Sequence, residues 1–587
     1  MRKQTKLVAV ASAAALLAIG GAMTSFAAQG WVEEDGTWYY YDKDGSRVEN
    51  EWKKSGDNWF WLDGDQGGAM ATDMLVDDDD NTYYVDGNGV MVSNTWVKVV
   101  NEDQDDDDDP AEYRYYYMQS NGKAYKASEN SSNTKFRTID GKRYAFDNDG
   151  KMLYGWVTDD GELSTGDDGW KDAKYYCGSW EDGAMKTGWQ KINVYDDEDG
   201  KDDDYDYWFN FKSNGEKRKS KENWKNNGKY YSFNSNGVMI YQWAEIASSA
   251  STASVSNWRY FNSPEDGARA TKGWFKVVAP GSDNDNTFKE DLSDTDTFAK
   301  KLADDEDDKW FYADSKGVLY EGEIKSIKGK YYGFRPDGDS KAGAMLTGLC
   351  ILEMDPSDPG KIATVIDDDI DSDDLDDILD GKYTNDNSAY NQENWNSNVA
   401  LYYFGNNEDT DGAMKTGNVT VNLDGSSYSF NFQKTGSAKS GRGKGVTGID
   451  DKKYVYMYGC RVKADSDDKY QLVEVWNTNA GGSLSINTDG VMVKKLDPAD
   501  FTDHYTNKDN ETVNYAIPAT TETNSELRLV NTAGNIQKNK TGVKDGNDCY
   551  YYLKDYKPML YTDNKTLKSH KDDRTNYSDW KDIVGIK

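Results

Sequence analysis

Residues 30–63 read GWVEEDGTWYYYDKDGSRVENEWKKSGDNWFWLD. Eight Trp, Tyr and Phe side chains follow the Gly30-Trp31 pair in this stretch, set among Asp, Lys and Gly. "TWYYYD" and "NWFWLD" are aromatic, β-favouring runs bounded by Asp-Gly and Ser-Gly turn signals, so each reads as a strand of a short hairpin. Alternate side chains of a strand face opposite ways, which puts Trp38 and Tyr40 on one face and Tyr39 and Tyr41 on the other. One face can pack against a neighbouring hairpin, and the other is free to build something at the surface. A lone hairpin is marginal, whereas stacked hairpins bury rings between them and gain stability with each unit.

The unit recurs. Gly-Trp, a few residues, a polar turn, a ring triplet, Asp-x-x-Gly, then a small residue or Met leads to the next Gly-Trp. Trp31 to Trp52 is 21 residues, and Met74 stands where the next Trp belongs, with Trp96 another 22 residues on. The return half reappears as "GAMKTGW" (183–189), "GARATKGW" (267–274), "GAMLTG" (343–348) and "GAMKTG" (412–417). Longer intervals have a consistent address. Trp31 and Trp52 precede the first ring of their triplet by seven residues, but Trp96 to Tyr115 and Trp189 to Trp208 are each 19 apart. The additions, "VVNEDQDDDDDPAEYR" and "INVYDDEDGKDDDYDY", read as acidic insertions in hairpin turns. Two further acidic segments, 294–308 and 365–380, space apolar residues almost helically and are candidates for short helices, although solvated loop is the commoner reading of such runs. Beyond about Leu496 the repeat fades, and "CYYYLKDYKPMLYT" (549–562) restores one unit.

Among the 587 residues are 19 Trp, 42 Tyr and 17 Phe, with a formal charge of −36 and a mean hydropathy of −0.93. Disordered acidic chains lack aromatics, so this chain is expected to be ordered by rings rather than by aliphatic cores. Residues 1–27 read as an export leader: a basic start, an apolar run from Leu7 to Ile19, and Ser25-Phe26-Ala27 as the cleavage site. Its removal leaves 66 basic residues against 105 acidic ones, a formal charge of −39. That charge excludes nucleic acid as a partner, and no later segment reaches the length of a membrane span. Cys177, Cys350, Cys460 and Cys549 lie far apart, without metal or redox spacing, and their pairing stays open. The expected division is a leader over 1–27, aromatic hairpin repeats with acidic turn insertions over 28–350, an acidic insertion with a candidate helix over 351–400, degenerate repeats over 401–495, and degenerate repeats or a cap over 496–587.

The unit "GW-x-x-x-x-G-x-WYYYD-x-DG" with "GAM-x-TGW" resembles the cell-wall-binding, or choline-binding, repeats of secreted Gram-positive proteins, over most of 30–492 with gaps. Related repeats form glucan-binding tails and the carbohydrate-binding ends of clostridial toxins. The resemblance implies an all-β, elongated β-hairpin repeat solenoid with acidic loop insertions. It also implies three-ring cages for a quaternary ammonium group between adjacent hairpins. Carried onto this chain, the ligand-binding candidates are Trp31, Trp38, Tyr40, Trp52, Trp59, Trp61, Trp156, Trp189, Trp208, Trp224, Trp243 and Trp274. A trimethylammonium group is soft and weakly hydrated, and ring faces suit it. Packing alone is the competing reading of every one of these rings, and cages are expected to be lost where Met74, Ile449 or Leu349 replaces Trp.

Other motifs fail on context. Gly443 to Gly448 spells GxGxxG, but it precedes the strand pattern "IDDKKYVYMY" and lacks the helix of a dinucleotide site. Asn407, Asp409 and Asp411 begin like a calcium loop, yet Asn418 stands where the bidentate Glu belongs. The Asp-rich turns are candidates for weak calcium binding at most, with solvated charge the preferred reading. His504 and His570 have no nucleophile motif beside them, and no enzyme activity, cofactor or metal site is expected. The expectation is a secreted, cell-wall-associated, non-catalytic protein whose partner is a choline-substituted teichoic acid or wall glycan. The alternatives are a glucan-binding adhesin or toxin-like receptor module, and a structural surface protein without a ligand.

Overall fold

The structure, a computed structural model, describes residues 29–104, 110–127, 133–197, 203–246, 254–281, 287–288, 298–299, 307–507, 509–565, 567 and 580–585. The expected leader and most of 294–308 lie outside the described residues. The chain divides into two compact units, Met1–Ile240 with Ser263–Ala268, and Tyr241–Asn262 with Arg269–Lys587.

The first unit is built from antiparallel hairpins: Gly30–Glu34 with Thr37–Tyr41, Glu51–Ser55 with Asn58–Asp63, and so on to Lys221–Asn226 with Lys229–Phe233. Their tight turns are carried by pairs such as Asp35-Gly36 and Asn227-Gly228, where both residues take positive φ (50° and 83°; 47° and 84°). That is the turn whose twist matches a two-strand ribbon. The chain leaves several hairpins through an Asx turn. Asp86 Oδ1 accepts from the backbone N–H of Asn88 and Val90, and Asn234 Oδ1 accepts from Asn236 and Val238. The repeated Asp-x-x-Gly is thus a device that satisfies turn amides and lets Gly close the bend. Six residues after the last strand position the chain bridges back, as in Val85↔Met91, Met118↔Ala124, Phe211↔Lys217 and Phe233↔Met239.

Two expectations are corrected. The segment "INVYDDEDGKDDDYDY" is not all loop, because the ladder of Gly188–Asp196 with Asp203–Phe211 runs out to Asp196↔Asp203. Ile192, Val194 and Tyr207 are buried, and Tyr207 Oη donates to Asp196 at 2.7 Å, so an apolar row holds the acidic strands together. Nor do rings alone order the chain. In the second unit Leu349–Met354 lies between Ile362–Asp367 and Val399–Tyr403, and its core is largely aliphatic, including Leu349, Ile351, Leu375, Ile378, Leu401, Val455, Val473 and Val475. The helix within 365–380 spans Ser372–Asp380 and buries Leu375, Ile378 and Leu379 against that core. Asp371 starts it with a capping box, its side chain accepting from Asp374 N–H while Asp374 accepts in return.

All four cysteines are free, and burial pushes the thiols of Cys177, Cys350 and Cys460 up to about 12, which keeps them protonated and inert. Among the described residues no helix is long and apolar enough to cross a membrane.

Candidate functional site

Trp31, Trp52 and Trp156 each meet a ring opposite them in their own hairpin and a ring from the next. Trp31 lies 5.4 Å from Tyr40 and 5.3 Å from Phe60. Trp52 lies 5.3 Å from the buried Trp61 and 5.1 Å from Tyr83. Trp156 lies 4.8 Å from Tyr176 and 5.2 Å from Phe209. Trp224 packs on Tyr231 and Phe233 and carries the Arg218 guanidinium 4.2 Å over its ring.

Two places stand out by a shared geometry. Trp189 and Trp208 stand at 84° with centroids 6.3 Å apart, and Tyr231 of the next hairpin closes to 5.0 Å from Trp189. In the second unit Trp274 and Trp310 stand at 87° and 6.2 Å, with Tyr332 at 4.8 Å from Trp274. All six rings are half-buried, so each box has ring surface facing water.

A carboxylate from a later loop fastens the outer tryptophan of each box. Glu265 accepts from Trp208 Nε1 at 3.0 Å and from Lys191 at 2.8 Å. Asp409 accepts from Trp310 Nε1 at 2.9 Å and from Lys276 at 2.9 Å. The lysines are placed by register, Lys191 opposite Trp208 and Lys276 opposite Trp310. Each bridges a second acid as well, Lys191 to Asp206 and Lys276 to Glu408. The Lys191 hydrogen bond, then that of Trp208, holds Glu265 below the usual carboxylate range. Lys276, then Trp310, does the same for Asp409. The 407–411 segment therefore directs a carboxylate to an indole and a lysine.

Trp38 and Trp59 hold the same first-ring position as Trp208 and Trp310, yet among the described residues they make no ring–ring contact. Trp38 faces Glu33 and Trp59 faces Lys54 across their hairpins, and Trp59 is 41% exposed. Trp31 and Trp52 bury their indole N–H without an acceptor among the described residues.

Trp243 is sealed. It is 0% exposed, donates from Nε1 to the Val278 carbonyl, and packs on Tyr260, Phe275, Phe298 and Phe311. The Phe298 ring, 5.5 Å from Trp243 and 6.0 Å from Trp258, fills the place between the two indoles.

Sequence reading missed Trp310, Tyr231 and Tyr332 as partners and Glu265 and Asp409 as fasteners. A signal was present, since both boxes are followed by Gly-Lys-Tyr-Tyr-x-Phe, at 228–233 and 329–334. Trp310 was hidden because some thirty inserted residues separate it from Trp274.

Perpendicular indoles with a phenol beside them present π faces on adjoining sides of one corner. Such a corner attracts a soft cation electrostatically or stacks on a sugar's apolar face, and a carboxylate at its rim adds a preference for positive charge.

No family model and no curated protein matches the chain. Solved structures similar to it include the modular autolysin LytC of Streptococcus pneumoniae with a synthetic peptidoglycan ligand, at 18% identity and TM-score 0.28, covering 56% of this chain and 56% of that one. The choline-binding domain of CbpL from the same organism is similar at 25% identity and TM-score 0.22, over 37% of this chain and 88% of that one. CbpF in complex with ipratropium is similar at 16% identity and TM-score 0.24, over 68% and 96%. The chain thus spans about half the length of the autolysin. At these TM-scores the chains do not superpose as wholes, and what the boxes do rests on their own geometry.

Proposed function

We propose that this is a secreted, non-catalytic protein that holds a choline-bearing teichoic acid or related wall polymer non-covalently, through ring boxes between adjacent hairpins. The observation that carries the reading is the paired geometry of Trp189, Trp208 and Tyr231, and of Trp274, Trp310 and Tyr332, each with a carboxylate at the outer indole. Ring faces bind an onium group at roughly 0.5–2 kcal/mol each. One box is therefore weak, and two on one chain facing a repetitive polymer gain by effective concentration, on the order of a hundredfold. The carboxylates favour the onium group over a neutral sugar as the ligand.

Tryptophan fluorescence titrations with choline and with neutral gluco-oligosaccharides test this. Choline is expected to quench saturably, and the Trp189→Ala, Trp274→Ala double variant to lose that response. Quenching by the oligosaccharide alone would replace the onium reading with a glycan one. Silence towards both would leave a scaffold.

A further inference from the structure

The bridge position that follows each hairpin usually carries an apolar side chain. Met152 lies in one apolar cluster with Trp96, Tyr115 and Tyr144, and Met345 in another with Trp274, Trp310 and Tyr332. The backbone N–H of Met152 and Met345 reaches the carbonyl of the first-ring residue, Tyr115 and Trp310. In the hairpin of Trp156 the same place in the ladder belongs to Lys217, bonded to the Lys174 carbonyl at 2.7 Å. Its side chain is buried. Nζ lies 5.2 Å from the Trp156 ring centroid and 6.0 Å from that of Phe209. It donates to the backbone carbonyl of Trp170 and, at 3.2 Å, to that of Lys171. Trp170 packs edge-on against Phe209 and closes that side.

A buried amine between two ring faces and two carbonyl oxygens is in the surroundings that suit an onium ion. We propose that Trp156, Phe209 and the Trp170 and Lys171 carbonyls form a cation site that the chain fills with its own Lys217, and that accepts a small alkylammonium from solution once that side chain is shortened. Burial, reinforced by the nearby Lys219 and opposed by Asp172, pulls the Lys217 ammonium down to about 7. A quaternary ammonium holds its charge at any pH and gives up water cheaply, which offsets the N–H···O bonds it cannot make to the two carbonyls. In the native protein this box is then unavailable to a wall polymer, unlike those of Trp189 and Trp274. The inference builds on the reading that ring boxes take cations, but its test needs no wall ligand.

Equilibrium dialysis of labelled tetramethylammonium against the full chain, Lys217→Ala and Lys217→Met is the experiment. Lys217→Ala is expected to bind one more equivalent than the native chain. Lys217→Met, which places there the side chain that position 345 carries beside the open Trp274 box, is expected to bind the extra equivalent as well. Equal stoichiometry in the native chain and Lys217→Ala overturns the inference, and the wall-binding reading stands alongside it when that shared value is one or more. Native silence with one equivalent bound by Lys217→Ala does the reverse. Should Lys217→Ala fail to fold, proton NMR of the native chain decides: one lysine ε-methylene is expected well upfield of the rest, shifted by the Trp156 ring current and returned by Trp156→Leu. Absence of any such upfield lysine also overturns it.

Discussion

Trp243 and Trp274 hold the same place in consecutive hairpins of the second unit and do opposite jobs. Trp243 is ringed by four aromatic side chains and capped by a carbonyl, so Trp243→Ala is expected to cost about 3–5 kcal/mol in chemical denaturation and to leave choline titration unchanged in the protein that still folds. Trp274→Ala removes a half-buried wall. It is expected to cost less stability and to abolish the response of its box. The outer wall depends on a titrating group. Asp409 is held below its ordinary value of 3.8 in the folded chain. Such a depressed carboxylate contributes stability that is complete above 3.8 and lost as pH falls through the lower folded value. Onium binding at Trp274 is therefore expected to be steady from neutrality to about pH 4 and to fall below it. Asp409→Asn is expected to bind a few-fold more weakly at neutral pH and to lose the acid limb. Identical acid limbs in the native protein and Asp409→Asn would rule this carboxylate out.

At the scale of elements, charge masked what periodicity offered. The acidic strands around Asp196 and Asp203 look like loop by composition, yet Ile192, Val194 and Tyr207 fall on one face at a period of two, and that face is buried. Ser372–Asp380 has the same character: five of its nine residues are Asp, while Leu375, Ile378 and Leu379 make one apolar stripe. Its start is held by the Asp371–Asp374 capping box, which the recurring Asp-x-x-Asp spacing of the segment does not single out. Asp371→Ala is expected to destabilise the second unit by roughly 1 kcal/mol, read as a lower denaturation midpoint with an unchanged slope. No change would mean that packing alone holds the helix. Hairpins, turns and Gly-Trp positions could be read because each follows from local chemistry. The box partners could not, because Glu265 reaches back 57 residues to Trp208 and Asp409 reaches back 99 to Trp310. Loop-to-ring contacts at that separation leave no periodic trace. The aliphatic core beyond Leu349 went unread for another reason: its runs, such as "LCILEM" and "YQLVEVWN", were visible, but the strand partners that bury them are far away in sequence.

The whole molecule carries a formal charge of −36, and the proposed partner carries charge of both signs. An onium group is drawn to this field, and a phosphate is repelled by it. The two effects respond oppositely to salt, since exposed charges separated by more than about 8 Å are largely screened at physiological ionic strength. Free tetramethylammonium has only the attraction to lose, so its affinity is expected to fall as sodium chloride rises from about 0.05 to 0.5 M. Retention on a phosphate-bearing choline polymer has repulsion to shed along every phosphate and attraction to lose only at the boxes. It is expected to rise over the same range. A neutral choline-bearing resin should follow the free ligand, because it offers the boxes the same group without the phosphates. If polymer and resin both weakened in parallel, long-range repulsion would be irrelevant to attachment, and the ring boxes would have to account for all of the selectivity.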